Sequence, residues 1–176
     1  MDESAMLWVF VLIAAILRIA SVVISARNER QLRSAGAIEL GATNSRVLAG
    51  VHVAFYLGAI LERLLGGPWT FDLPALVGLM LYLFGMAALG AVIRELGRLW
   101  TVKLILAEDH SLVTSPLFRL VRHPNYFLNI LPELIGFALM LHAYTTLIVG
   151  LPLYLVPLVI RIRQEERAMR ERFSAY

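Results

Sequence analysis

The chain has 176 residues, of which 59% are hydrophobic and 16% are charged, and its mean hydropathy is +0.73. Soluble domains carry about 25% charged residues, so the composition disfavours a soluble enzyme, a disordered chain and a nucleic-acid-binding domain. The chain contains no cysteine, which excludes disulfides, thiolate metal sites and cysteine nucleophiles, and no metal site is predicted.

Five apolar stretches come close to the length of about 20 residues that a helix needs to cross a bilayer. They are residues 6–24, 47–65, 73–93, 126–141 and 143–160. The last two are short and almost adjacent, so we expect them to form a helical hairpin. The charged tail 161–175 consists of strong helix formers and is expected to continue the last helix as an amphipathic segment. The sequence therefore predicts an all-α polytopic membrane protein with about five transmembrane helices in a single domain, 1–176.

Most of the lysines and arginines lie in three segments of the chain. Segments 25–46 and 94–122 and the tail after residue 160 carry them, whereas the short segments 66–72 and 141–144 carry none. The positive-inside rule then predicts cytoplasmic long loops, a cytoplasmic C-terminus and an external N-terminus, in a membrane expected to be a bacterial inner membrane. The net charge of +3 reflects this topology and contact with lipid headgroups. Neither a nucleic acid nor an obligate protein partner is predicted.

Some polar residues interrupt the apolar stretches. They are Arg18, His52, Glu62, Arg63 and Glu133. Charges near the bilayer centre are costly and usually serve a site or a buried pair. Two interpretations of Glu133 stay open: an ion pair or hydrogen bond to another helix, with Arg18 as a candidate partner, or a role in substrate binding. His52 is read as a satisfied interhelical residue or as a ligand, and Glu62 is placed at the outer interface.

The segment 110–126 brings His, Arg, Asn and Tyr to the mouth of a membrane helix. Pro124 is suited to the first turn of that helix. A helix N-terminus offers free N–H groups and a partial positive charge, which favour a carboxylate or a phosphate. The alternative is an interfacial anchor of arginine and tyrosine.

A second polar segment contains Arg161, Glu165 and Glu166. Arg161 and Glu165 are four residues apart, so they share one face of a helix. A carboxylate at such a place can bind the vicinal hydroxyls of a ribose, as acidic residues do in dinucleotide sites. The alternative is a solvated, charged helix.

Together these two segments resemble the isoprenylcysteine carboxyl methyltransferase family of integral-membrane enzymes. The matching run is Leu112-Val-Thr-Ser, Phe118-Arg and Arg122-His-Pro-x-Tyr126, followed by Arg161-Ile-x-x-Glu165-Glu166 and the ending Phe173 to Tyr176. The resemblance covers residues 96–176, and residues 1–95 supply the N-terminal helices. Motifs in the N-terminal half, including Arg27-Asn-Glu-Arg, are similar to a bacterial subgroup implicated in O-methylating alkylpyrones.

The resemblance implies methyl transfer from S-adenosyl-L-methionine (SAM) to a lipophilic acceptor at the cytoplasmic face, with S-adenosyl-L-homocysteine as product. The acceptor would be the carboxylate of a prenylcysteine-like molecule or the acidic hydroxyl of an alkylpyrone. Arg161 and Arg122 are the implied catalytic residues, which face and orient the acceptor. The implied cofactor-binding residues are Lys103, His110, Ser111, Leu112, Val113, Phe118, His123, Pro124, Asn125, Tyr126, Glu165 and Glu166.

Two departures from the family pattern occur. Pro116-Leu-Phe118 stands where the family usually has Gly-Pro-Tyr, and Ser174 replaces a glycine in the Phe-Gly-x-x-Tyr ending. Two other classes of function stay open at this point. One is a non-enzymatic membrane binder or small transporter that uses the intramembrane polar residues as a pathway. The other is a methyltransferase that acts on phospholipid amines.

Overall fold

The computed structural model describes residues 2–106 and 115–172. Four helices are long and apolar enough to cross a membrane: α1 (Glu3–Ser34), α2 (Ala42–Leu65), α3 (Leu73–Leu96) and α6 (Thr146–Arg172). A short α4 (Pro116–Leu120) precedes α5 (Asn125–Met140), which is apolar but shorter. A 3₁₀ turn, Gly97–Leu99, follows α3, and two strands, β1 (Ile38–Leu40) and β2 (Leu104–Leu106), complete the described elements. The predicted polytopic all-α membrane fold is confirmed.

The membrane helices run in alternating directions between two ends of the bundle. Near the start of α2, Asn44 donates to the carbonyl of Pro157 near the middle of α6, and at the end of α2, Glu62 meets the beginning of α6. We name the end where α1 and α3 finish and α2 and α5 begin the basic end, because the arginine-rich segments lie there. The other end, with the connections 66–72 and 141–145, is the turn end. α6 continues unbroken into the charged tail, as predicted.

Helices α3 and α5 pack closely through glycines. A Cβ added at Gly136 would lie 2.5 Å from the backbone nitrogen of Tyr82 and 2.6 Å from the carbonyl oxygen of Gly78. Two helices approach this closely only where no side chain separates their backbones. At Gly85, a Cβ would lie 3.0 Å from the carbonyl oxygen of Asn129. This contact fixes the polar face of α5 against α3.

A two-stranded antiparallel sheet joins the two long loops at the basic end. Its register pairs Ile38 with Leu106 and Leu40 with Leu104. No pattern in the sequence predicted these strands. Asn28 of α1 donates to the carbonyl of Trp100 at 2.8 Å and so fixes the chain between α3 and β2. The backbone N–H of Val102 donates to Ser25 at 2.9 Å, so this segment has a defined position beside α1.

Polar contacts also fix the turn end, where α5 and α6 form the predicted hairpin. Glu62 accepts from the backbone N–H groups of Thr145 at 2.8 Å and Thr146 at 2.7 Å, which are donors left free at the start of a helix. Glu62 therefore caps α6. The sequence predicted its position at the interface but not this capping role. Asp72 caps α3, and the N–H of Ala75, aided by His142, holds the pKa of Asp72 below its ordinary value.

Candidate active site

The first turn of α5 and the second half of α6 meet at Tyr126. Helix α5 begins after Pro124 with a widened π-turn, Asn125–Ile130, and this turn directs the buried Tyr126 towards α6. The Tyr126 hydroxyl donates to Glu165 Oε2 at 2.7 Å and accepts from Arg161 Nε at 3.2 Å. The Tyr126 hydroxyl therefore joins Arg161 to Glu165, which were predicted to share one face of a helix.

Arg161 is held by three different parts of the chain. Its Nη1 donates to Ser45 Oγ at 2.7 Å, and its Nη2 donates to the carbonyl of Val102 at 3.1 Å, while Nε binds Tyr126. Arg161 is only 3% exposed, so these bonds replace the water that a charged group requires. Ser45 and Val102 were not predicted from the sequence, because no motif marks them and they lie far from Arg161 in the chain.

His123 lies on the other side of Tyr126. Its Nε2 is 3.4 Å from Glu166 Oε1, its Nδ1 is 4.0 Å from Glu165 Oε2, and its ring is stacked with Tyr126 at 5.8 Å between centroids. The side chains of Glu165 and Glu166 are 29% and 28% exposed. We name the group of His123, Tyr126, Arg161, Glu165 and Glu166 the hairpin site. Its carboxylates face solvent, and its guanidinium is buried beneath them.

The structure places the other predicted site residues in different surroundings. Asn125 accepts from Asn129 Nδ2 at 3.2 Å, in the turn that carries Tyr126. Phe118 is half-buried in α4, and Arg122 is exposed just before α5. Pro124, at the start of α5, is buried.

Lys103 and the segment that follows β2 were also predicted to bind the cofactor. Lys103 pairs with Glu29 at 2.7 Å and with Glu39 at 3.9 Å, beside the sheet. Its role at the cofactor stays a prediction. Further predicted residues lie outside the described ranges. These are His110, Ser111, Leu112 and Val113, together with Phe173 and Tyr176 of the family ending.

The intramembrane residues also have defined partners. Glu133 is buried and forms an ion pair with Arg18, which agrees with the first of the two interpretations of Glu133. The hydroxyl of Tyr56 donates to the same carboxylate. His52 Nδ1 is 3.5 Å from the hydroxyl of Tyr154, so His52 bridges α2 and α6.

The described residues form four helices that can span a membrane, and a charged group lies at one end of the hairpin of α5 and α6. These features define a polytopic integral-membrane protein with a polar site at its surface. Comparison with known proteins identifies the family. Residues 77–171 match the isoprenylcysteine carboxyl methyltransferase (ICMT) family, and the chain belongs to it. The protein is therefore a membrane methyltransferase.

Two relatives match nearly the whole chain. An uncharacterized protein of Haemophilus influenzae is 46% identical over 170 residues, which cover 96% of this chain and 98% of the relative. The uncharacterized protein YpbQ of Bacillus subtilis is 29% identical over 170 residues, which cover 94% and 98%. No solved structure matches the chain.

Proposed function

We propose that the protein is a SAM-dependent O-methyltransferase that acts on a lipophilic, acidic acceptor at the cytoplasmic face of the membrane. The observation that carries this proposal is the layering of the hairpin site, with partly exposed carboxylates above a buried guanidinium. In this arrangement the carboxylates can bind a water-soluble nucleoside donor, and the guanidinium can bind an acid that is dissolved in the membrane. The basic end faces the cytoplasm in this proposal, in keeping with the positive-inside rule.

The donor groups of the hairpin site fit the chemistry of this cofactor. Glu165, which Tyr126 holds by a 2.7 Å hydrogen bond, is suited to the vicinal hydroxyls of a ribose. His123 and Glu166 add an imidazole and a second carboxylate for the polar atoms of the nucleoside and the amino acid portion. When bound, the cofactor supplies an electrophilic methyl group.

Arg161 orients the acceptor in this proposal. Its guanidinium is fixed by Ser45, Val102 and Tyr126, so it presents a charge in a rigid position to an acceptor oxygen. Alignment of two reactants in one geometry can contribute up to about 7–11 kcal/mol to a displacement reaction. A carboxylate or an acidic enol needs no strong base, so the reaction in this proposal does not depend on His123 or a glutamate as a base.

The acceptor's alkyl chain has a path from the bilayer. A groove of about 570 Å³ separates the start of α2 from α6, and Val47, Val156 and Ile160 line it. Ile160 directly precedes Arg161, and Asn44, which also lines the groove, directly precedes Ser45, so the groove runs beside the helical turns that carry the Arg161–Ser45 pair. The same guanidinium disfavours the phospholipid amine alternative, because an ammonium-bearing headgroup would meet a like charge there.

A binding titration tests the proposal. Isothermal titration of the purified protein with S-adenosyl-L-homocysteine should show binding in the micromolar range, and Glu165→Gln should abolish it. Glu171→Gln is the matched control, since Glu171 is an exposed carboxylate of the same helix that pairs with Arg167. A folded wild-type protein that does not bind the product would overturn the proposal. Transfer of a labelled methyl group into a lipid extract, followed by mass spectrometry, identifies the acceptor.

A further inference from the structure

The segment 100–103, which leads into β2, is bound along one face of α1. Ser25, Asn28 and Glu29 are spaced three and four residues apart, so they share one side of that helix. Each of these side chains contacts a residue of the segment, and the pairs are Asn28 with Trp100, Ser25 with Val102 and Glu29 with Lys103. One face of α1 therefore determines where the segment lies.

Lys103 is the only lysine of the chain, and it lies within a group of four charges. Its Nζ is 2.7 Å from Glu29 of α1 and 3.9 Å from Glu39 of β1, and Arg33 pairs with the same two carboxylates. We name these four residues the charged cluster. The side chains of Glu29 and Glu39 are 17% and 13% exposed, so solvent and salt screen these pairs less than they screen an open surface pair.

Lys103 shares a peptide group with Val102. The carbonyl of Val102 and the N–H of Lys103 lie in one plane, so a fixed position of Lys103 also restricts the direction of that carbonyl. Thr101 Oγ1 donates to the carbonyl of Lys103 at 2.7 Å and closes a turn around Val102. The carbonyl of Val102 accepts from Arg161 Nη2 at 3.1 Å. The charged cluster therefore acts on Arg161 through a single peptide group.

The sheet connects a second partner of Arg161 to the same cluster. Leu40 pairs with Leu104 at one end of the sheet, and the residue before Leu104 is Lys103. Helix α2 begins two residues after Leu40, and its first turn carries Ser45, which accepts from Arg161 Nη1 at 2.7 Å. The two groups that hold the Arg161 Nη atoms therefore adjoin the same end of the sheet.

We propose that Lys103 is a positioning residue, which acts on the reaction through Arg161 and not through the methyl donor. Its ion pairs with Glu29 and Glu39 hold the carbonyl of Val102 in place. That carbonyl fixes the Arg161 guanidinium in the position that the acceptor requires. This inference rests on the proposed function, in which Arg161 orients the acceptor, and it gives Lys103 a role other than the cofactor contact that the family resemblance implies.

The test compares the full-length protein with variants that change the charged cluster from either side. Lys103→Met keeps the length of the side chain but removes its charge, whereas Lys103→Arg keeps the charge. The double variant Glu29→Gln/Glu39→Gln removes the carboxylates and leaves Lys103 intact. Arg167→Met is the matched control, since Arg167 pairs with Glu171 on an exposed part of α6.

Hydrogen exchange at Arg161 Nε, followed by NMR in protein labelled with ¹⁵N-arginine, reports how firmly the guanidinium is held. The signal is assigned by its absence in Arg161→Lys. Lys103→Met and the double variant should each speed this exchange about fivefold, whereas Lys103→Arg and the control should leave it unchanged. The indole N–H of Trp69, which donates to the carbonyl of Met140 at the turn end, should exchange at the wild-type rate in every variant.

The second measurement concerns the methyl donor. The affinity of Lys103→Met for S-adenosyl-L-homocysteine should stay within about twofold of wild type, and KM for SAM should not change. The kcat for labelled methyl transfer into the lipid extract should fall about tenfold, because Arg161 is then poorly positioned. Adding Lys103→Met to the double variant should not speed exchange at Arg161 further, since both changes remove one contact.

Four results would overturn the inference. They are wild-type exchange at Arg161 in a folded Lys103→Met protein, weaker product binding by that protein, failure of Lys103→Arg to preserve wild-type exchange, and equal acceleration at Trp69, which would indicate loosening of the whole bundle. If Lys103→Met does not fold, exchange in the double variant decides, and a wild-type rate there overturns the inference. The exchange measurement needs no ligand, so a wild-type protein that does not bind S-adenosyl-L-homocysteine contradicts the proposed function alone.

Discussion

Replacing Tyr126 with phenylalanine removes one oxygen atom, and that atom joins Arg161 to Glu165. Hydrogen bonds to charged groups contribute about 1.5–3 kcal/mol. Arg161 keeps its bonds to Ser45 and Val102, and the partly exposed Glu165 regains water. The lost stability therefore comes mainly from the unpaired Arg161 Nε, so we expect a decrease of about 2 kcal/mol in the free energy of unfolding.

The same variant should weaken product binding, because Glu165 loses the bond that orients it. A decrease in affinity of about fivefold to tenfold corresponds to about 1–1.4 kcal/mol. Isothermal titration with S-adenosyl-L-homocysteine and denaturant unfolding measure the two effects. Tyr144→Phe is the control, since Tyr144 is 42% exposed at the turn end, and it should change neither quantity. A Tyr126→Phe protein that is destabilised but binds the product as well as wild type would refute the argument that Tyr126 positions Glu165.

Three further predictions concern the scaffold. Gly136→Ala should destabilise the protein by about 1–3 kcal/mol, because the new methyl group meets the α3 backbone, whereas Gly90→Ala has open space and should not lower the melting temperature. Glu62→Ala should cost about 1 kcal/mol in unfolding experiments, because the N–H groups that begin α6 lose their acceptor. The pKa of Asp72 is lowered in the folded protein, so its carboxylate stabilises the fold above the pKa of the unfolded chain, and this stabilisation is lost as the pH falls through the folded pKa. The melting temperature of Asp72→Ala should therefore decrease less than that of the wild type below about pH 4.

Hydropathy predicted the membrane helices well because the bilayer thickness sets their length and composition. It failed where no bilayer constraint applies. Helix α1 continues to Ser34, ten residues beyond the predicted stretch, through a segment that is charged but still helical. The strands β1 and β2 have three residues each and pair across more than sixty intervening positions, so no local pattern marks them.

The residues of the hairpin site were predictable to different degrees. His123, Tyr126 and Glu165 fall in motifs at the two ends of one helical hairpin, and the turn end closes that hairpin so that they meet. Ser45 and Val102 could not be predicted, because their contacts with Arg161 depend on the packing of α2 and on the sheet. The pairing of Glu133 with Arg18 was one of two interpretations that the sequence allowed, since a lone charge in hydrocarbon requires a partner.

The family match begins at residue 77, yet the position of Arg161 depends on residues that precede it in the chain. Ser45 belongs to α2, and Val102 is positioned by Ser25 of α1 and by the pairing of β1 with β2. The first two helices are therefore structural determinants of the site and not merely anchors. A chimera that joins the C-terminal half of this chain to the N-terminal half of a distant relative should retain its shape but position Arg161 poorly, unless segment 25–46, which includes the end of α1 and the start of α2, is transferred with it.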